Sequence, residues 1–407
     1  MAVTGLGVLS AAGSTLDTFW QTLLAGRSVA ADIQRVDVSE APIRFGCEVR
    51  DFDPETVLSA KEARRADRVA QFSVAVTEAA LADAGAPDFD PARAAVVVGT
   101  GFGGLHTADE GARDFLGVGP AAMRGKLNPL FIPMVMPNAA SAVVSLREGL
   151  RGPCLTISTA CAAGANAVGE GMRLLREGSA DVVVAIGAEA PLTPWVMTGF
   201  AAAHALSERA REPAAASRPF DRDRDGFVMG EGAAALVLER FPDAAARRAP
   251  IRAELLGYAR NTDAHHLVAP APDGRGARAC IELALAAAGV APGDVASVTA
   301  HGTSTPHNDA AEAAALRGVF ARAHDPPVTS IKGVSGHAIG AAGALEAVAS
   351  VLSFVHRAVP PTANFAQPDP AIDLDVVTVP RPLADGVIVS NSFAFGGHNA
   401  VLVVGPA

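Results

Sequence analysis

Two stretches of the 407-residue chain share one form, and that form restricts the fold more than any other feature. Thr156–Gly171 (TISTACAAGANAVGEG) and Thr329–Glu346 (TSIKGVSGHAIGAAGALE) each run from a β-prone segment through a tight small-residue turn into a helix-like segment. Strand–turn–helix units recur in both halves of the chain without recognisable sequence identity. Asp181–Ala190 (DVVVAIGAEA) is almost continuously apolar, as in a strand covered on both faces. Together these features predict a layered, duplicated α/β architecture. The polar, Pro-flanked, Ala/Arg-rich segment Phe241–Pro250 is the expected junction, dividing the chain into halves 1–240 and 241–407.

Composition narrows the function classes. Half the residues are hydrophobic and 19% are charged, which describes a compact protein with a large core. The net charge of -10 argues against general nucleic-acid binding, although a local basic patch can still dock an acidic partner. The longest apolar runs are interrupted by Gly, Ser or charges and stop short of a membrane span. The opening MAVTGLGVLS lacks the charged segment of a signal peptide. Cys47, Cys154, Cys161 and Cys280 are widely spread, with no CxxC pair and no zinc spacing. A reduced cytoplasm is the expected location, and nothing calls for a metal or a tightly bound organic cofactor.

Strands are expected at Ala2–Ser10, Ala94–Val98 and Val295–Ala300, with a last one in Val387–Gly397. Helical spacing marks Leu16–Leu24 and a long helix across Lys61–Gly85, and three prolines make Leu127–Val144 read as an irregular connection. Gly99–Gly104 (GTGFGG) satisfies GxGxxG, but it follows a late strand and lacks a suitable acidic partner, so it reads as a tight turn. Arg218–Gly232 (RPFDRDRDGFVMGEG) has calcium-loop spacing at Asp221, Asp223 and Asp225. Gly232 stands where the bidentate Glu belongs, which favours a hydrogen-bonded polar turn.

The chemically interesting residues fall at strand-to-turn exits, where α/β sheets build sites: Cys161, His301, Lys332, His337 and Phe395. A thiol at a helix start faces free N–H groups and the positive helix end, both of which favour thiolate. A small buried cysteine is the alternative reading of Cys161, and either histidine alone could be structural. One Cys and two His on separate loops also form an acyl-transfer set in which the Cys carries a thioester. One Cys with two His does not match a zinc signature.

The motifs TACAAG, HGTSTPHNDAAE, IKGVSGHAIGAAGALE and NSFAFGGHN, with RPFDRDRDGFVMGEG and GLRGPC, resemble the β-ketoacyl-[acyl carrier protein] synthases, the elongating ketosynthases of the thiolase superfamily. The resemblance covers essentially the whole chain. It implies a thiolase-like fold of duplicated halves in five α-β-α-β-α layers, usually dimeric. Cys161 would take an acyl chain from the phosphopantetheine arm of an acyl carrier protein. His301 and His337 would stabilise the enolate formed as malonyl carrier protein loses CO2, and the carbanion would attack the acyl–Cys161 thioester.

By the same resemblance the Cys161 and Phe395 N–H groups form an oxyanion hole, and Lys332 and Glu346 support the histidines. Thr303 and Thr305 bind the pantetheine arm, while Phe395 gates the thiol. Phe102, Phe131, Phe200 and Phe393 line the acyl site, Phe131 reaching across the dimer. Phe102 is bulkier than the usual residue there and is expected to constrict the tunnel. Lys61, Arg65, Arg68, Arg124 and Lys126 are candidates for docking the acidic carrier. His204, His307 and His398 depart from commoner family residues. The Ala/Arg-rich composition and the Asn308–Asp309 pair lean toward a specialised polyketide or polyene pathway over fatty-acid elongation. The expected dimer partner is either a second copy or, in the specialised pathway, a chain-length-factor-like subunit. A catalytically silent scaffold subunit and a coenzyme A thiolase are the competing readings. The intact Cys161, His301 and His337 oppose the first, and the missing second catalytic Cys opposes the other.

Overall fold

A computed structural model describes every residue except 124–125 and 321–323. Its main sheet contains ten strands: β1 (Ala2–Ser10), β2 (Ala94–Gly99), β3 (Cys154–Ile157), β4 (Val182–Glu189), β5 (Gly232–Glu239), β6 (Ala253–Thr262), β7 (Val295–Thr299), β8 (Val328–Thr329), β9 (Val387–Ala394) and β10 (His398–Gly405). Their order is β8-β7-β9-β10-β6-β1-β5-β4-β2-β3. The first five strands therefore lie as β3-β2-β4-β5-β1, and the last five repeat that order as β8-β7-β9-β10-β6. Directions repeat as well: β2 is parallel to β3 and β4, and β5 is antiparallel to β4 and β1. In the second half β7 is parallel to β8 and β9, and β10 is antiparallel to β9 and β6. Among the described residues, the strand pairs Ala2–Glu254 and Val3–Ala253 join the two sets.

Three helices recur in matching places. They are α1 (Arg68–Asp83), α2 (Ala139–Glu148) and α3 (Ala163–Arg176), then α4 (Arg275–Ala288), α5 (Pro306–Phe320) and α6 (Ala342–His356). α1 and α2 cover the outer face of the first sheet, and α4, with α5 against it, covers the second. α3 and α6 lie between the sheets and touch both, which completes five layers. Their apolar faces, including Val168, Met172, Leu345, Val348 and Leu352, form one core with the inner sheet faces. Each fully buried side chain of this size contributes roughly 1.5–3 kcal/mol. Ile339–His356 is long and apolar enough to cross a membrane, but 83% of it is buried as this central layer.

The α3–α6 crossing requires glycine at two matching positions. A Cβ on Gly164 would meet Gly340 O at 2.8 Å, and one on Gly343 would meet Ala165 N at 2.6 Å. Any larger residue would push the helices, and the strand exits they carry, apart.

Two local expectations are corrected, and a third, the polar turn, holds. Lys61–Gly85 is not one helix: a short turn at Ala60–Ala63 is followed by α1, whose start is set by Asp67 accepting from the Val69 N–H at 3.1 Å. Leu127–Val144 is largely helical, containing Phe131–Val135 and the start of α2. The Arg218–Gly232 segment is a polar turn, with Asp221 buried and accepting from Arg218, Asp223, Ala366 and Gln367.

Candidate active site

The duplication places two like turns face to face. β3 leads to a 3-10 turn at Ala160–Ala162 before α3, and β8 leads through Lys332–Ser335 to a 3-10 turn at Ile339–Ala341 before α6. Both turns begin with a non-glycine residue at positive φ, Ala160 at 47° and Ile339 at 44°. Such backbone is strained by roughly 1–3 kcal/mol and persists where its surroundings over-determine it. In the first turn the strain aims Cys161 at the other half.

Cys161 Sγ lies 3.1 Å from His337 Nε2. The His301 and His337 rings meet edge to face at 5.3 Å, and the sulfur and one nitrogen of each ring lie within 4.8 Å of one another. All three residues are buried. Lys332 Nζ is 3.2 Å from His301 Nδ1 and 2.7 Å from His301 O, and it pairs with Glu346. Lysine only donates, so His301 Nδ1 accepts and the ring proton sits on Nε2. Burial, then the Lys332 charge, then His337, holds His301 well below the ordinary imidazole pKa. Burial and Lys332 do the same to His337. Both rings are therefore neutral near pH 7. Burial raises Glu346 to about 7 against the opposing pull of Lys332.

The thiolate expected at the helix start is corrected. Burial outweighs the Lys332 charge and the Phe395 and Cys161 N–H groups that address the sulfur, and pushes the thiol up to about 12. Cys161 rests as a neutral thiol against a neutral imidazole, so its proton has to leave as the sulfur attacks.

Cys161, both histidines, Phe200, Ile339, Phe393 and Phe395 line one cavity. Thr303 and Thr305 line it too, their hydroxyls 2.9 Å apart, and exposed His204 and His307 stand at its mouth. Phe200 meets Phe395 at 6.1 Å and Phe102 edge-on at 6.3 Å. Phe131 stands apart, packed over Gly111, where a Cβ would meet its ring at 2.4 Å.

Lys61, Arg65 and Lys126 are exposed, whereas Arg124 lies outside the described residues. Arg68 is corrected. It is buried, with Nη2 and Nε at 2.7 and 3.0 Å from the two Glu231 oxygens and its guanidinium 4.4 Å from the Phe72 ring centre. A side chain so enclosed has no face left for a carrier protein.

Sequence reasoning missed two carboxylate roles. Glu312, the last residue of the HGTSTPHNDAAE motif, accepts from the His301 and Gly302 N–H groups at 2.9 and 2.7 Å. Glu189 holds Gly101, Phe102 and Gly340 in the same way. The available signal was an acid at the end of a fully apolar strand. The GxGxxG string is thus a turn whose N–H groups already serve a carboxylate.

The first 244 residues match the family Beta-ketoacyl synthase, N-terminal domain, and residues 252–366 match its C-terminal domain. The chain belongs to the β-ketoacyl synthase family. Among curated β-ketoacyl synthases it is 44% identical to a 3-oxoacyl-[acyl-carrier-protein] synthase 2 of Synechocystis sp., over 99% of this chain and 97% of that one. Two solved structures are similar over the whole chain and 98% of theirs. One is the ishigamide ketosynthase/chain length factor, at a TM-score of 0.92 and 36% identity. The other is a type II polyketide synthase acyl-carrier protein in complex with its ketosynthase bound to the hexaketide, at 0.87 and 31%. This synthase thus has the thiolase-like fold expected from its motifs.

Proposed function

We propose that the protein catalyses decarboxylative Claisen condensation of an acyl-Cys161 thioester with malonyl carrier protein, in fatty-acid or type II polyketide elongation. The observation that carries this reading is Cys161 Sγ at 3.1 Å from His337 Nε2 with the neutral His301 ring beside it. In the first stage Cys161 attacks the carrier thioester carbonyl as its proton leaves through His337 to the departing pantetheine sulfur. The Cys161 and Phe395 N–H groups, which address the sulfur at rest, are the donors for the oxyanion that forms.

In the second stage the malonyl carboxylate leaves as CO2 and its electron pair becomes the enolate. The His301 Nε2–H group donates to that oxygen, joined by His337 once its ring proton stands on Nε2, a tautomer its unpartnered Nδ1 leaves open; neutral donors suit a charge that exists only in transit. The carbanion then bonds to the acyl carbon, the C–S bond breaks with its electron pair on Cys161 Sγ, and the resulting thiolate takes up one proton from water to restore the resting thiol.

The carrier's arm lies along Thr303 and Thr305 in this reading, with Lys61, Arg65 and Lys126 facing the acidic carrier body. The acyl chain lies toward Phe200, Phe393 and Phe102. Dimerisation with a second copy or a chain-length-factor-like subunit is supported by the unpaired outer edge of β3. Leu155 on that strand is exposed, as are Leu116, Ile132 and Met136. That dimer would supply Phe131 to a neighbouring site. The division at 240/241 follows the repeat of strand order, and free cysteines accord with a reduced cytoplasm.

The experiment is intact-mass measurement after incubation with acyl carrier proteins of varied chain length, beside Cys161→Ala. A gain of one acyl group, absent in the variant, supports the reading, and the chain lengths that load separate the pathways. Folded protein that loads nothing, alone or with a candidate partner subunit, overturns it.

A further inference from the structure

Glu189 ends β4 and is fully buried, yet it has no cationic partner among its hydrogen bonds. Its Oε1 accepts from Thr100 Oγ1 at 2.9 Å and the Phe102 N–H at 3.2 Å. Its Oε2 accepts from the Gly101 N–H at 2.5 Å and the Gly340 N–H at 3.0 Å. Four neutral donors from two segments, about 240 residues apart in the chain, thus converge on one carboxylate. Burying a charge is costly unless it is this well satisfied.

One segment it grips carries a residue that lines the cavity, and the other carries a ring packed against the cavity's Phe200. Gly101 and Phe102 carry the Phe102 ring, which meets Phe200 edge-on. Gly340 follows Ile339, a cavity-lining, β-branched residue at φ 44° that needs an external restraint to stay there. Glycine is required at both grips: a Cβ on Gly101 or Gly340 would meet Glu189 Oε2 at 2.8 or 2.5 Å.

The duplicated half supplies a comparison inside the same molecule. The turn matching Thr100–Phe102 is Ala300–Gly302, since the Thr100 and Ala300 N–H groups bond Ile157 and Thr329 in corresponding places. There Glu312 grips the same pair of N–H groups, and the residue it fixes is His301. One carboxylate of this kind sets a catalytic ring, and the other sets the ring beside the acyl cavity.

We propose that Glu189 is a positioning residue for chain-length selection, bracing the Phe102 turn of one half against the Ile339 turn of the other. The inference rests on the reading that Cys161 carries the acyl chain. In Glu189→Gln one acceptor becomes an amide donor facing N–H groups, so one grip opens while the volume is kept.

The test compares kcat/KM for short and long acyl thioesters in the full-length protein, for Glu189→Gln, Phe102→Ala and the double variant. The expected result is a change of tenfold or more in the long-to-short ratio for Glu189→Gln, and a double variant close to Phe102→Ala alone. A purely structural role would lower all chain lengths by one factor and add to the Phe102→Ala effect; either outcome overturns the proposal. If Glu189→Gln does not fold, Thr100→Val removes a single donor to Oε1, and an unchanged ratio there overturns it equally. Wild-type protein that loads no chain would instead overturn the underlying function.

Discussion

Lys332 Nζ lies 3.2 Å from His301 Nδ1 and 2.7 Å from the His301 carbonyl oxygen, so one side chain fixes both the ring and the backbone of a residue 31 positions away. The contact selects the tautomer that presents Nε2–H to the substrate. Lys332→Ala is expected to lower the decarboxylation rate of malonyl carrier protein about 10²–10³-fold, the usual loss for one oxyanion donor. Acylation of Cys161, which does not use that donor, should fall far less. The two half-reactions, measured by CO2 release and by intact mass, check this separation.

The buried Cys161 thiol, raised to about 12, predicts an unusual alkylation profile. An ordinary cysteine is half thiolate near pH 8.5 and levels off above about pH 9.5. For Cys161 the thiolate fraction still rises about tenfold per pH unit through pH 10, because the folded value lies above that range. Iodoacetamide rates followed by mass at Cys161 should therefore show no plateau between pH 8 and 10. A midpoint near pH 8.5, with levelling by pH 10, would mean that the resting sulfur is not the desolvated thiol described.

Arg68 and Glu231 form a buried pair with two hydrogen bonds. Removing either partner alone leaves an uncompensated charge inside the protein and should cost about 3–5 kcal/mol. Arg68→Met with Glu231→Leu should cost much less than the sum of the single changes. Urea unfolding of the four proteins measures the difference. Carrier affinity of a folded Arg68 variant should be unchanged, in contrast to Lys61→Glu or Arg65→Glu.

Phe102, 38% exposed and edge-on to Phe200, is the simplest handle on the acyl pocket. Phe102→Ala is expected to raise kcat/KM for chains longer than the wild type accepts by about tenfold or more, the scale of one or a few methylenes in an apolar pocket. An unchanged chain-length profile would place the constriction elsewhere.

Much of the site was legible because its residues occupy strand exits with short, characteristic turns. Cys161, His301, Lys332 and His337 lie in such turns, and the two-part sheet follows from the recurrence of those units. What escaped depends on partners distant in sequence. Arg68 looked like surface charge beside Lys61 and Arg65 because nothing nearby announces Glu231, 163 residues later. The thiolate expectation counted the helix end but not the desolvation of a site closed by a second half. The Asp67 break was hidden inside an amphipathic pattern, although an Asp at that point is a good cap.

The matching turns also fix a stoichiometry. Gly340 occupies the place in its half that Cys161 occupies in the other, and a side chain there would meet Glu189 Oε2 at 2.5 Å. Only one of the two otherwise similar turns has room for a nucleophile. In the proposed reaction each polypeptide would therefore hold a single acyl-Cys161 group, and a dimer would carry as many growing chains as it has cysteines at position 161: two if both subunits are this protein, one if the partner lacks the thiol.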